Sequence, residues 1–172
     1  MKFLHAWFLV GFAWAVSLQG ASKSLYEKGG GFAPDERILY KKAFGKKEKT
    51  AEELHLEFFY PDGFAKTDSH PSIVFFFGGG WTGGSTSQFY AHSEYLASRG
   101  MVAICAQYRR SLKTAKPIWC VEDARSCMRY LRKNASALGL DPKRIAAGGG
   151  SAGGHLAAAT ATISAFDCKD DD

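Results

Sequence analysis

Two unbroken apolar runs limit what this chain can become. Ile73-Val74-Phe75-Phe76-Phe77 and Val102-Ala103-Ile104-Cys105-Ala106 lack the alternation of a strand with one wet face. Such runs suit strands covered on both sides, as in a parallel sheet flanked by helices. Upstream, Ile38 to Phe44 and Leu54 to Tyr60 read as two more strands. In the second, Leu54, Leu56, Phe58 and Tyr60 fall on one face, with His55, Glu57 and Phe59 on the other. Pro61-Asp62-Gly63 ends it with turn chemistry.

Helical patterns fill the gaps. Ser85 and Gln88 stand at capping-box spacing between the two apolar runs, and Gly100 marks the exit from that helix. After Pro117, the residues Val121, Ala124, Met128, Leu131, Ala135 and Leu138 recur every three or four positions, one apolar stripe facing a sheet. Gly139 closes this helix. Asp141-Pro142 then turns the chain into a strand over Ile145 to Gly148, and an Ala-rich helix runs from about Ala152 to Ala165. Strand alternating with helix predicts an α/β fold with right-handed crossovers. The expected architecture is a three-layer α/β/α sandwich around a mostly parallel sheet of about five strands.

The 172 residues allow one domain, and 46% apolar with 14% aromatic residues can build a core, which excludes wholesale disorder. The net charge of +5, from 22 basic against 17 acidic residues, is too scattered for a nucleic-acid surface. Lys41, Lys42, Lys46, Lys47 and Lys49 read as a solvated turn rather than a phosphate-binding patch. At the start, Met1-Lys2 precedes an apolar stretch from Phe3 to Leu18 broken by His5, Gly11 and Ser17. This is the pattern of a signal peptide over 1–22, implying a secreted or periplasmic protein. Cleavage follows Ser17 or falls near Gly20 to Ser22. A retained anchor is the alternative, though the stretch is short for a bilayer span. A loose Gly/Pro-rich segment covers 23–35, and the domain runs from 36 to 172.

Four cysteines in an exported chain raise the question of disulfides. Cys120 and Cys127 lie seven apart on one helix, roughly 10 Å along its axis, too far to pair with each other. Cys105 sits in a strand and Cys168 near the end. Mostly free, buried thiols are expected, and without a C-x-x-C pattern no metal or redox site is expected. A cofactor is not expected either.

The chemistry concentrates in Gly148-Gly149-Gly150-Ser151-Ala152-Gly153-Gly154, which holds G-x-S-x-G between a predicted strand and a predicted helix. A nucleophilic serine must stand on a tight turn with its hydroxyl exposed, and flanking glycines let the backbone pass without Cβ clashes. The Ala152 amide then faces a developing oxyanion, aided by the helix dipole. Phe77-Gly78-Gly79-Gly80-Trp81 directly follows the most apolar strand and can supply further amides. Each motif alone has a bland reading as a flexible loop. Together, each after a strand, they reinforce one another.

These motifs, with Gln107-Tyr108-Arg109 between them, resemble the α/β-hydrolase superfamily. The likeness is strongest to its lipase/esterase branch, which includes hormone-sensitive-lipase-like and feruloyl-esterase-like carboxylesterases and kynurenine formamidase. It covers about residues 36 to 166. It implies that Ser151 is the nucleophile, that Gly79, Gly80 and Ala152 give oxyanion amides, and that Trp81 lines the acyl or alcohol pocket. The family usually has His where this chain has Phe77, a His that braces the glycine loop.

That family orders its triad Ser, then Asp or Glu, then His, on later strands. Positions 152–172 offer only His155, Asp167 and Asp170 to Asp172. His155 lies on the helix launched by the serine turn, where packing fits better than base catalysis. His92 is read as a surface or semi-buried residue, and Asp123, Arg109 and Arg110 as structural charges. The chain thus resembles the N-terminal part of such an enzyme, with Ile145 to Gly148 an open sheet edge suited to self-association. The implied function is hydrolysis of a small ester through an acyl-enzyme; the alternative is a catalytically inactive truncated remnant. No nucleic-acid partner and no membrane anchor after processing are expected. Gly148-x-Gly150-x-x-Gly153 formally matches a dinucleotide fingerprint, but it comes late and no acidic strand end follows.

Overall fold

The computed structural model describes residues 31–43, 51–110 and 117–165. The signal-peptide region, part of the loose segment, Lys46, Lys47, Lys49 and Cys168 lie outside them. Five strands form one sheet: β1 (Glu36–Ala43), β2 (Glu52–Phe59), β3 (His70–Phe76), β4 (Val102–Ala106) and β5 (Leu140–Gly149), in the order β1-β2-β4-β3-β5. β2 is antiparallel to both of its neighbours, whereas β3 is parallel to β4 and β5. Four strands therefore run one way and β2 alone against them. Helix α1 (Tyr90–Ala97) links β3 to β4, and α2 (Pro117–Lys133) carries the chain from β4 past β3 to β5. Helix α3 (Ala152–Thr162) follows β5.

Both faces of the sheet are covered, as the apolar runs require. On one face Leu56, Phe58, Val74, Phe76, Val102 and Ile104 pack with Ala124, Met128 and Leu131 of α2 and Leu156 of α3. On the other, Phe59, Ala103 and Cys105 meet Ala97 of α1. The stripe read from α2 faces the core, but its last two residues, Ala135 and Leu138, sit on a separate 3-10 turn. Gly139 leaves that turn at φ +67°, and Gly100 ends α1 at φ +86°, both conformations that suit glycine.

Some expectations change in detail. Glu57 shares its face of β2 with Phe59 and is buried beneath α1, where the Tyr90 hydroxyl donates to Oε2 at 2.7 Å. Lys41 does not belong to a solvated turn: its Nζ lies 3.2 Å from Oδ1 of the buried Asp123. Asp141-Pro142 does not precede β5 but lies inside it, with a register shift opposite His70 to Ser72. β5 is an edge of the described sheet, where the missing N–H of Pro142 breaks no interior ladder.

Cys105, Cys120 and Cys127 are free and buried. Burial pushes the Cys105 and Cys120 thiols up to about 12 and raises that of Cys127 as well. Thiolate is the reactive form. The native protein at pH 8 should therefore leave these three unmodified by Ellman's reagent, and guanidinium should release all three. Tryptic mapping of labelled sites checks this; native labelling at Cys120 or Cys127 would contradict the packing of α2.

Candidate active site

The serine corner forms where β5 ends and α3 begins. Ser151 has φ 51° and ψ −117°, a left-handed conformation rare for a residue with a side chain, and it is exposed. Its neighbours explain why the chain turns there. A Cβ on Gly149 would lie 2.5 Å from the Phe76 carbonyl oxygen, and one on Gly153 would lie 1.9 Å from the same atom. Only hydrogen at both positions lets the first turn of α3 cross the end of β3. Gly150, by contrast, has room for a side chain. The Gly153 amide donates to Gly150 O at 2.9 Å and closes the turn.

The glycine stretch leaves the end of β3 beside this corner. A Cβ on Gly78 would stand 2.8 Å from Gly150 O and 3.4 Å from Ser151 Cβ, so the two motifs are in contact. Gly78 is buried, and Gly79 and Gly80 are exposed at φ +140° and +61°. The loop folds on itself: Gly83 and Thr82 donate their amides to Gly79 O at 2.9 and 3.1 Å. Arg110 Nη1 adds a bond to Gly84 O at 3.0 Å. Among the described residues, no hydrogen bond occupies the amides of Gly79, Gly80 or Ala152. Ala152 itself is buried at the N-terminus of α3.

Trp81 follows at φ 62°, the other non-glycine residue with positive φ among those described. Its ring packs on the core and meets His155 edge-on at 5.6 Å and 88°. Its Nε1 is buried without a hydrogen-bond partner among the described residues. His155 is exposed, and His92 is exposed on α1, its ring tilted against those of Phe89 and Phe75. Among the described residues no cluster of three His, Cys, Asp or Glu could hold a metal.

Sequence reasoning missed the residue that ties the loop down. Gln88 does not close a capping box: Ser85 Oγ bonds Ser87 Oγ at 2.6 Å instead. The Gln88 carboxamide reaches ten residues back and accepts from the Gly78 amide at 2.7 Å. Phe77 is braced separately. Its ring stacks on Tyr108 at 4.2 Å, and the Tyr108 hydroxyl donates to Phe77 O at 2.7 Å. Burial raises the Tyr108 hydroxyl above its ordinary range, so it stays a donor.

A strained, exposed serine at a strand-to-helix corner, touching a glycine loop at the end of the adjacent parallel strand, defines an α/β-hydrolase fold of the esterase type. Residues 56–171 match the BD-FAE family, and the chain belongs to it. It is similar to the carboxylesterase NlhH of Mycobacterium tuberculosis, 31% identical over 56% of this chain and 30% of that protein. Arylacetamide deacetylase of Bos taurus is 32% identical over 81% of this chain and 35% of its own length. Among solved structures, Thermogutta terrifontis esterase 2 phosphonylated by cyclosarin superposes with a TM-score of 0.73 at 43% identity. That match covers 80% of this chain and 50% of the esterase. The chain thus spans about a third of these curated relatives and about half of the solved esterase.

Proposed function

We propose that this chain carries the nucleophile and oxyanion site of a serine hydrolase acting on small carboxylic esters. The observation that carries the reading is Ser151, held exposed in a strained turn with the glycine loop so close that a Cβ on Gly78 would stand 3.4 Å from Ser151 Cβ. Ser151 Oγ would bond to the ester carbonyl carbon as its proton passes to a base and the carbonyl electron pair moves to oxygen. The amides of Gly79, Gly80 and Ala152 are free to receive that oxyanion, and each such donor is typically worth about 3 kcal/mol in the transition state. Collapse expels the alcohol, which takes the proton back, and water then hydrolyses the acyl-serine. Trp81 would line the acyl or alcohol pocket.

The base and acid are proposed to come from outside the described residues, because the His155 ring contacts Trp81 rather than a carboxylate. Supporting the reading, Thermogutta terrifontis esterase 2 is phosphonylated by cyclosarin in one structure and phosphorylated by paraoxon in another.

A fluorophosphonate probe tests the proposal directly. The full chain should be labelled at Ser151, and Ser151→Ala should lose both labelling and p-nitrophenyl acetate hydrolysis, the latter by about 10⁴-fold or more. Hydrolysis undiminished in Ser151→Ala would sink the assignment. A chain that neither labels nor turns over ester would instead support the inert-remnant reading.

A further inference from the structure

We infer that Gln88 is a positioning residue, whose carboxamide oxygen holds the glycine loop in register with the Ser151 corner. The inference rests on the reading of Ser151 and that loop as the reacting machinery. Gln88 Oε1 accepts from the Gly78 amide at 2.7 Å, and Gly78 immediately precedes the exposed amides of Gly79 and Gly80. The same oxygen lies 3.8 Å from where a Gly150 Cβ would stand, and the tip of the Phe89 ring lies 3.5 Å from that point. One short 3-10 turn, Thr86–Phe89, therefore bonds the residue before the oxyanion amides and lies beside the residue before the serine.

That turn is itself fixed. Gln88 N donates to Ser85 O at 3.2 Å, and Phe89 stacks on Phe75 of β3 at 4.8 Å with parallel rings. The other ties on the loop, from Gly83 and Thr82 to Gly79 O and from Arg110 to Gly84 O, close it on itself or anchor its far end. At its near end the Phe77–Gly78 peptide is held from both sides, Tyr108 donating to Phe77 O at 2.7 Å and Gln88 accepting from Gly78 N. Fixing the Phe77–Gly78 peptide plane sets the direction in which the loop leaves β3, and the Gly79 amide follows only two torsions later. Oxyanion donors act as preorganised dipoles, and a misaimed loop should slow the bond-forming step more than it weakens binding. Phe77, the residue before Gly78, is held separately by stacking on Tyr108.

Two variants of the full chain separate this role from plain stability. Gln88→Leu keeps the bulk and removes the acceptor; Gln88→Glu keeps an acceptor oxygen. With a fluorophosphonate probe, the Leu variant should lose about tenfold or more in the maximal labelling rate at Ser151, less than the 10²–10³ typical of deleting an oxyanion donor. The probe concentration giving half-maximal rate should stay within about twofold, since ground-state contacts are untouched. By hydrogen exchange, the Phe77–Gly84 segment should lose protection in the Leu variant and keep it in the Glu variant. If Gln88→Leu labels at the wild-type rate while Ser151→Ala does not label, the positioning role fails and the nucleophile stands. If no Ser151-dependent labelling occurs at all, the nucleophile reading fails and exchange alone decides. In that case, unchanged protection in Gln88→Leu overturns the brace too, and lost protection upholds it.

Discussion

Gly153→Ala is expected to cost about 3 kcal/mol or more, at the upper end of overpacking penalties, and to lower Tm by about 10 °C. The new methyl would sit 1.9 Å from Phe76 O, 2.5 Å from Phe76 C and 2.7 Å from Phe77 O. All three are backbone atoms at the end of β3, so no rotamer change relieves the clash. Helix and strand must separate, and the strand end that moves is the one from which the glycine loop departs. The next residue supplies the control. A methyl on Gly154 would meet Gly149 O at 3.2 Å, and alanine favours the helix over glycine by about 0.8 kcal/mol, so Gly154→Ala should stay within about 1 kcal/mol of wild type. Thermal unfolding followed by circular dichroism measures both. Equal melting temperatures for the two variants would mean that α3 does not cross β3 as described.

This contrast shows what a sequence can disclose about such a site. Gly149, Ser151 and Gly153 were legible because one local demand, a helix launched steeply across a neighbouring strand, dictates small residues at fixed positions around an exposed hydroxyl. The Phe77–Trp81 stretch was legible only beside them: glycines after an apolar strand also suit a flexible loop, and the second motif is what singled them out. Gln88 was not. Ser-x-x-Gln looks the same whether the glutamine returns to its own turn or reaches back to Gly78, because spacing cannot say where a flexible side chain goes. The burial of the Glu57 and Lys41 side chains was hidden by a similar limit. Alternation assigns a face, but only the arrival of Tyr90 from α1 and Asp123 from α2 decides whether that face is wet.

The same tertiary pairing connects the core to the candidate site through Gln107-Tyr108-Arg109. Gln107 exchanges bonds with the backbone of His55 on β2, fixing the exit of β4. Tyr108 holds Phe77, and Arg109 turns inward to Asp123. Three consecutive residues thus tie a strand, the base of the glycine loop and a helix to one another. The stretch that accompanies the two glycine motifs in the family resemblance is therefore a structural junction.

Asp123→Ala should break that junction and destabilise the protein by about 3–5 kcal/mol, the range for removing one partner of a buried ion pair. Asp123 is fully buried on α2. Its Oδ2 accepts from Arg109 N at 3.0 Å and Nε at 2.8 Å, while Oδ1 accepts from Arg109 Nη2 at 2.8 Å and lies 3.2 Å from Lys41 Nζ. Burial alone would make the Arg109 guanidinium easier to deprotonate. The bonds and charge of Asp123 outweigh it and hold the group above its ordinary range. Removing the carboxylate takes the fully buried counter-charge from two cations whose side chains are only 11% and 8% exposed, although Arg109 keeps Glu122 at 3.2 Å and Lys41 keeps the Ser126 hydroxyl at 2.7 Å. Distance is not what matters here: Lys42 and Glu53 also meet at 3.2 Å, but with both side chains more than half exposed. Glu53→Ala should therefore change stability by no more than about 0.5 kcal/mol. Urea unfolding of the two variants compares a buried carboxylate with an exposed one at equal separation. If their midpoints fall together, Asp123 does not hold β1, the end of β4 and α2 as one unit.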